Sequence, residues 1–266
     1  MSKRLGQHFL INKRILQKIS TSLEIKDNDT IIEIGPGHGE LTEEILKIKD
    51  KKSKIIVIEK DKDLAGALRL KYQNNKNIEI IEGDALKVLP EITIPHTPDP
   101  KPYKLAGNIP YYITGRLFRI IGEIEQKPQI CVFTIQKEVA ERVAAKPPRM
   151  NLLAASLQVW ADVKIIETVP ARYFNPPPKV DSAVIKLITK PPELINLKTY
   201  ELTNHYKILR ILFRQPRKTI LNNLSDGLGL KKSEIVAKLK KIGTKPTDRP
   251  QNLSMEDMVK LSVCFQ

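Results

Sequence analysis

Thr30-Ile31-Ile32-Glu33-Ile34-Gly35-Pro36-Gly37-His38-Gly39-Glu40 runs from an apolar, β-branched stretch straight into three glycines at alternate positions. The first five residues suit a buried strand, and the apolar spacing over 41–48 suits a helix. A glycine turn between the two lets a ligand approach the backbone closely at a helix N-terminus. A dinucleotide fingerprint reads G-x-G-x-x-G. Here the spacing is G-x-G-x-G, and Glu40 stands where the third glycine would be. With Glu33 and Glu40 beside it, the turn at Gly35 and Gly37 disfavours a pyrophosphate. It suits a phosphate-free ligand with a cationic centre, such as S-adenosylmethionine. Read alone, the stretch also fits a turn with no ligand.

Outward from this turn the pattern repeats. Apolar runs at 30–34, 54–58, 77–81, 103–106 and 129–135 alternate with amphipathic stretches at 41–48, 64–72, 116–124 and 139–145. That alternation predicts an α/β fold with a mostly parallel sheet covered on both faces. Runs at 163–169 and 183–188 are expected as further strands at the far edge of the sheet, and the proline-rich 90–102 as a surface loop. Pro191-Pro192 marks a boundary, giving domains of 1–190 and 191–266, the second helical.

Two further strand ends carry acids. Glu59 follows the second strand about 20 residues after the glycines, where a carboxylate accepts hydrogen bonds from ribose hydroxyls. Asp61 suits the cap of the next helix. Asp84, in Glu82-Gly83-Asp84-Ala85-Leu86, is placed to accept from an adenine amino group, and equally to cap a helix. These elements share one edge of the sheet, where α/β proteins bind ligands.

Gly107-Asn108-Ile109-Pro110-Tyr111-Tyr112 follows the fourth strand. Adenine N6 is a poor nucleophile because its lone pair is delocalised into the ring. The Asn108 side-chain carbonyl and a backbone carbonyl near Ile109 or Pro110 can accept both N6 hydrogens, favouring a pyramidal nitrogen with an exposed lone pair. Pro110 fixes the loop, and Tyr111 offers a ring for the base. A proline turn with packed aromatics is the plainer alternative.

The chain has 266 residues, with 45 Lys and Arg against 30 Asp and Glu, for a net charge of +15. Residues 190–266 hold 11 Lys and 4 Arg against 7 acids, so +8 of the charge sits in the last 77 residues. A basic tail attracts polyanions, nucleic acid above all. Lys207, Arg210 and Arg214 fall at i, i+3 and i+7, one helical face, with Arg217 and Lys218 following. No apolar run is long enough to span a membrane, the N-terminus has no signal-peptide core, and the two cysteines build neither a disulfide framework nor a zinc site. A reducing cytoplasm is therefore expected, with no membrane and no metal. Cys131, Cys264 and Trp160 read as packing residues.

Six strings then occur in order: Lys3-Arg4-Leu5-Gly6-Gln7-His8-Phe9-Leu10, the glycine turn, Gly83-Asp84-Ala85, Asn108-Ile109-Pro110-Tyr111, Gln136-Lys137-Glu138-Val139-Ala140-Glu141-Arg142 and Phe174-Asn175-Pro176-Pro177-Pro178-Lys179-Val180-Asp181-Ser182. With them the chain resembles, over nearly its whole length, the small-subunit ribosomal RNA adenine dimethyltransferases (KsgA/RsmA type). The resemblance implies a Rossmann-like S-adenosylmethionine-dependent methyltransferase fold with a small all-α RNA- or ribosome-binding domain. It implies conversion of two adjacent adenosines, in the hairpin loop near the 3′ end of 16S rRNA, to N6,N6-dimethyladenosine, within a small-subunit precursor and by a monomer. It places cofactor contacts at His8, Leu10, Gly35, Glu59, Asp84 and Asn108, and the base site at Asn108, Pro110 and Tyr111. Phe174 would be the opposite aromatic face, although alone it reads first as a core residue.

Two departures stand out. Arg149-Met150-Asn151-Leu152 replaces the family's Tyr-Gly pair, and Pro216-Arg217-Lys218 replaces Arg-Arg-Lys, with the proline expected at a helix start. Three other classes share some of these features. They are a large-subunit adenine methyltransferase of the antibiotic-resistance type, a non-catalytic ribosome-assembly factor, and a nicotinamide oxidoreductase, which the glycine spacing disfavours.

Overall fold

The computed structural model describes residues 7–49, 52–93, 102–191 and 199–266. Residues 3–6 of the N-terminal string, 94–101 of the proline-rich stretch and Pro192 lie outside the described residues.

The chain divides into two compact units, one of 1–140 with 163–189 and one of 141–162 with 190–266. The expected boundary at 190/191 falls at the second crossing. The first crossing is a correction: 141–162 joins the helical tail. Met150, Ala154 and Ala155 are buried among Ile208, Leu212, Ile220 and Leu224, so this segment's apolar side chains belong to the tail's core.

The first unit opens with β1 (Phe9–Leu10) and α1 (Lys13–Ser22). Alternation of strand and helix then gives β2 (Thr30–Ile34), α2 (Glu40–Ile48), β3 (Lys54–Glu59), α3 (Lys62–Tyr72), β4 (Ile78–Glu82), α4 (Ala85–Ile92), β5 (Tyr103–Asn108), α5 (Thr114–Glu123), β6 (Ile130–Gln136) and α6 (Lys137–Val143). After α7 (Leu152–Gln158) come β7 (Ala161–Val169), β8 (Phe174–Asn175) and β9 (Ser182–Thr189). Pro90 lies inside α4, so the expected 90–102 loop begins as helix. Asp84 starts that helix by accepting from Leu86 N at 3.0 Å.

The main sheet has the order β4-β3-β2-β5-β6-β9-β7. β4, β3, β2, β5 and β6 pair in parallel, and β9 joins β6 antiparallel. Ile31, Ile55, Val57, Leu105, Val132 and Phe133 are almost fully buried, as both-face cover by helices requires. From β2 the chain steps outward through β3 and β4, then returns to β5 on the other side of β2. Strand order therefore reverses between β2 and β5, and a crevice opens there at the strands' C-terminal ends.

At the opposite end of the strands, Lys104 is 1% exposed and donates to Asp29 Oδ2 at 2.7 Å and to the Glu24 carbonyl. β1 is not part of this sheet. It pairs antiparallel with β8, setting Phe9 opposite Asn175 and Leu10 opposite Phe174.

Among the described residues the second unit contains α7 and four further α-helices, α8 (Thr199–Leu212), α9 (Ile220–Leu228), α10 (Lys232–Lys241) and α11 (Met255–Cys264). Its core gathers Ile208, Leu212, Leu224, Ile235, Leu239, Met258 and Leu261. Thr219 caps α9 and Ser254 caps α11 with a reciprocal capping box. Arg149-Met150-Asn151-Leu152 has a packing role here: Met150 is buried and Asn151 caps α7. No described helix is long and apolar enough to cross a membrane.

Candidate active site

A cleft at the strand ends is lined by residues from five of the six strings and from the end of β3: His8 and Phe9, Gly35 and Gly37, Glu59 and Lys60, Asp84, the Asn108–Ile113 loop, and Phe174; the Gln136–Arg142 string does not line it. Main-chain bonds carry the parallel ladders into its walls. Gly35 N donates to Ile58 O at 3.0 Å, Gly83 N to Glu59 O at 2.8 Å, and Ile109 N to Thr134 O at 3.0 Å.

The glycine turn is shaped for close approach. Gly35 holds a left-handed φ of +65°, and a Cβ there would meet nothing nearer than 3.9 Å, so its face is open. Gly37 also has a positive φ, and a Cβ on it would stand 2.6 Å from the Phe9 ring. Glu59 is 4% exposed. It accepts from Gly37 N at 3.3 Å and from Asp61 N at 2.8 Å, while burial raises its pKa. Asp61 caps α3 through Asp63 N and Leu64 N, as expected.

The acids act differently from the expectation. Glu33 is 1% exposed and lies outside the main cleft. Burial pushes its pKa up to about 8, against the Thr42 hydroxyl, which donates to Oε2 at 2.7 Å and favours the carboxylate. The carboxyls that line the cleft are Glu59 and Asp84 instead. At Asp84 burial alone would raise the pKa, but Lys60 and the Leu86 N–H outweigh it and the net shift is downward.

Asn108 and Tyr111 are each fixed at one end. Asn108 Nδ2 donates to the His8 carbonyl at 2.6 Å. Only the amide nitrogen can serve a carbonyl, so this contact sets the rotamer and leaves Oδ1 as the free acceptor among the described residues. The Tyr111 hydroxyl bonds Ser182 Oγ at 2.7 Å, and its ring stacks 6.2 Å from that of His8 at an interplanar angle of 29°. His8 Nδ1 in turn bonds the Pro176 carbonyl at 2.8 Å. Phe174 lines the cleft and is 3% exposed, packed in the core as the residue alone suggests. Leu10 alone of the expected set does not line the cleft, because its side chain is buried among Ile15, Leu16 and Leu41.

A cleft with an open glycine face, buried Glu59, capped Asp84 and apolar walls at Phe9, Ile34 and Ile58 suits a sugar and base with a cationic end. S-adenosylmethionine fits that donor set. A model of the ribosomal RNA adenine dimethylase family matches residues 1–266.

The chain belongs to the ribosomal RNA adenine dimethylase family.

Among its relatives is the ribosomal RNA small subunit methyltransferase A of Dehalococcoides mccartyi strain BAV1, 39% identical over 259 residues, covering 97% of this chain and 86% of that one. The protein of the same name from Sulfurihydrogenibium sp. is 38% identical, with 97% and 94% covered. A dimethyladenosine transferase from Plasmodium falciparum has a solved structure with TM-score 0.78, 29% identity and 96% of each chain covered. The 23S rRNA methyltransferase ErmE shares the fold, with TM-score 0.74 at 24% identity over 97% of this chain and 99% of that one.

The family's basic tail residues are exposed, but not as one helical face. α8 ends at Leu212, so only Lys207 and Arg210 lie on it. Arg214, Arg217 and Lys218 occupy the following turn, because Pro216 cannot extend a helix and restricts the residue before it. Pro216 is not at a helix start, since α9 begins at Ile220 behind Thr219. Lys218 also pairs with Asp226 at 3.3 Å.

Sequence reasoning missed Phe9, Lys60 and Ser182. Phe9 and Ser182 had a signal, each standing inside a motif string. Lys60 is visible only once β3 and α4 are placed.

Proposed function

We propose that this chain transfers methyl groups from S-adenosylmethionine to N6 of two adjacent adenosines in the 3′-terminal hairpin loop of 16S rRNA, each ending as N6,N6-dimethyladenosine. The observation that carries the reading is the Asn108 amide, which lines the cleft with its nitrogen tied to the His8 carbonyl, so that its oxygen is the end left to accept.

Gly35, Gly37, Glu59 and Asp84 would hold the cofactor, with His8 beside it. When bound, it supplies an electrophilic methyl group. The target adenine leaves its stack to enter the cleft, which costs less in a loop than in a duplex. Tyr111 and Phe174 flank the base, a stacking gain of roughly 1–3 kcal/mol per contact. Asn108 Oδ1 and a carbonyl of the Ile109–Pro110 segment accept the two N6 hydrogens and aim the lone pair. Alignment and fixed dipoles do the catalytic work. No strong base is needed, because a methylated N6 carrying positive charge is acidic and water accepts its proton. At the second round one N–H remains, which neutral Asn108 still accepts.

The helical unit grips RNA through Lys207, Arg210, Arg214, Arg217 and Lys218. The substrate is a small-subunit precursor, and the chain acts as a cytoplasmic monomer. Labelled-methyl transfer into naked 16S rRNA and into small subunits, followed by mapping of the modified base, tests this. The expected result is two dimethylated adenosines in the 3′ hairpin. Label in large-subunit rRNA alone, or none on adenine, refutes it.

A further inference from the structure

Lys60 sits at the rim of the cleft, between two residues whose roles are already clear. Glu59 is buried and accepts from Gly37 and Asp61, and Asp61 caps α3. Lys60 itself points across to α4. Its Nζ donates to Asp84 Oδ2 at 2.9 Å, with side chains 52% and 29% exposed. The other Asp84 oxygen, Oδ1, accepts from Leu86 N at 3.0 Å. One donor therefore holds each oxygen. The carboxylate cannot swing about its Cβ–Cγ bond without breaking either the helix cap or the ion pair. A half-exposed pair of this kind contributes little to folding. What it does fix is which lone pairs remain open to the cleft that both residues line.

We propose that Lys60 is a positioning residue: by holding Asp84 Oδ2 it orients the carboxylate toward the 6-amino group of the cofactor's adenine, and so sets the site's preference for adenine over a purine without that amine. The inference rests on the reading that the cleft takes S-adenosylmethionine. A carboxylate accepting an N–H makes a charge-assisted bond, stronger and more directional than a neutral one. Freed from Lys60, Asp84 is held by the Leu86 N–H alone; each time that single bond opens the carboxylate swings as a unit, and the amine loses its fixed partner.

The test is calorimetric binding of the full chain to S-adenosylhomocysteine and to its 6-deamino analogue, which has hydrogen in place of the amine. Wild type is expected to favour the amine-bearing ligand by about tenfold or more. In Lys60→Met that preference narrows to about threefold or less, and Lys60→Arg restores most of it. Lys60→Gln, uncharged but polar, narrows it in the same way without adding apolar surface. A merely structural role for Lys60 weakens both ligands alike. A preference unchanged in both Lys60→Met and Lys60→Gln overturns the proposal while leaving the cofactor reading standing. A wild-type chain that binds neither ligand overturns the cofactor reading and this inference with it.

Discussion

The Asn108 side chain donates to the His8 carbonyl at 2.6 Å across 100 residues of sequence. β5 brings one partner and the N-terminal segment brings the other. The bond fixes which end of the amide is left over, since an amide nitrogen spent on a carbonyl leaves the oxygen, an acceptor.

Asn108→Ala removes the acceptor and the tether together. Methyl transfer is expected to fall by a factor on the order of 10³, as for loss of one aimed polar group. Affinity for S-adenosylhomocysteine, measured by calorimetry, stays within about threefold, because Glu59 and Asp84 are untouched. Equal loss of both would assign Asn108 to cofactor binding instead.

Tyr111 separates into ring and hydroxyl. Tyr111→Phe keeps the face and loses only the 2.7 Å bond to Ser182, so turnover falls by a few-fold, about 1 kcal/mol. Tyr111→Ala removes the ring beside His8 and abolishes measurable methylation. Single-turnover rates distinguish the two. Equal damage from both would mean that the hydroxyl, not the ring, matters.

Neutralising the exposed turn after α8 through Arg214→Gln, Arg217→Gln and Lys218→Gln should weaken RNA binding and flatten its salt dependence. Each lost phosphate contact lowers the log–log slope by roughly 0.7–0.9. Lys218 contributes less than the arginines, because Asp226 already holds it. A slope identical to wild type would remove the turn from the RNA contact.

Lys104 and Asp29 form a buried pair. Lys104→Met leaves the Asp29 carboxylate without its cation and is expected to destabilise the fold by about 3–5 kcal/mol. Lys104→Met combined with Asp29→Leu should recover most of that, because it removes both charges. Urea unfolding of wild type and the two variants checks this, and a double variant no better than the single would show that the pair is not coupled.

His205 is fully buried, with Nδ1 on Ser262 Oγ at 2.7 Å and Nε2 without a partner among the described residues. Burial lowers its pKa from 6.5 to about 4. Its folded pKa lies below the unfolded one, so its contribution is complete above about pH 6.5 and is lost as pH falls toward 4, on the order of 3 kcal/mol in all. Glu33 runs the other way, since its raised pKa lets the fold gain as pH falls from about 8. The difference in unfolding free energy between wild type and His205→Gln isolates the histidine, and should shrink between pH 6.5 and 4. A difference constant with pH would contradict the assignment.

Alternation of apolar runs with amphipathic stretches placed nearly every strand of the main sheet, because parallel strands covered on both faces must be apolar almost throughout. β2 matched at both ends, at Thr30 and Ile34. α1 went unread although Asn12 and the apolar Ile15, Leu16, Ile19 and Leu23 carry a cap and a helical period; it lies between the N-terminal string, which ends at Leu10, and the first strand. α7 was lost for a different reason. Its buried alanines face the tail, and nothing local in 141–162 reveals a core supplied by residues some 50 positions later. Glu33 shows the limit for charge. A sequence displays an acid, but only its burial in the fold raises the pKa, to about 8, in spite of the Thr42 hydroxyl. The loop acceptor at Asn108 was legible, whereas its tether to His8 depends on a strand pair that no spacing encodes.

That pair, β1 with β8, has one further consequence. The ladder is only two residues long and joins Phe9 to Asn175, so it cannot close until the ribosome has released both ends of a very long span. A nascent chain halted after β6 would already own the glycine turn, both carboxylates and the Asn108 loop. It would still lack Phe174, the Ser182 anchor and the Pro176 carbonyl that holds His8. The cleft is thereby complete only when nearly all of the first unit has been made, whatever the order in which its helices form.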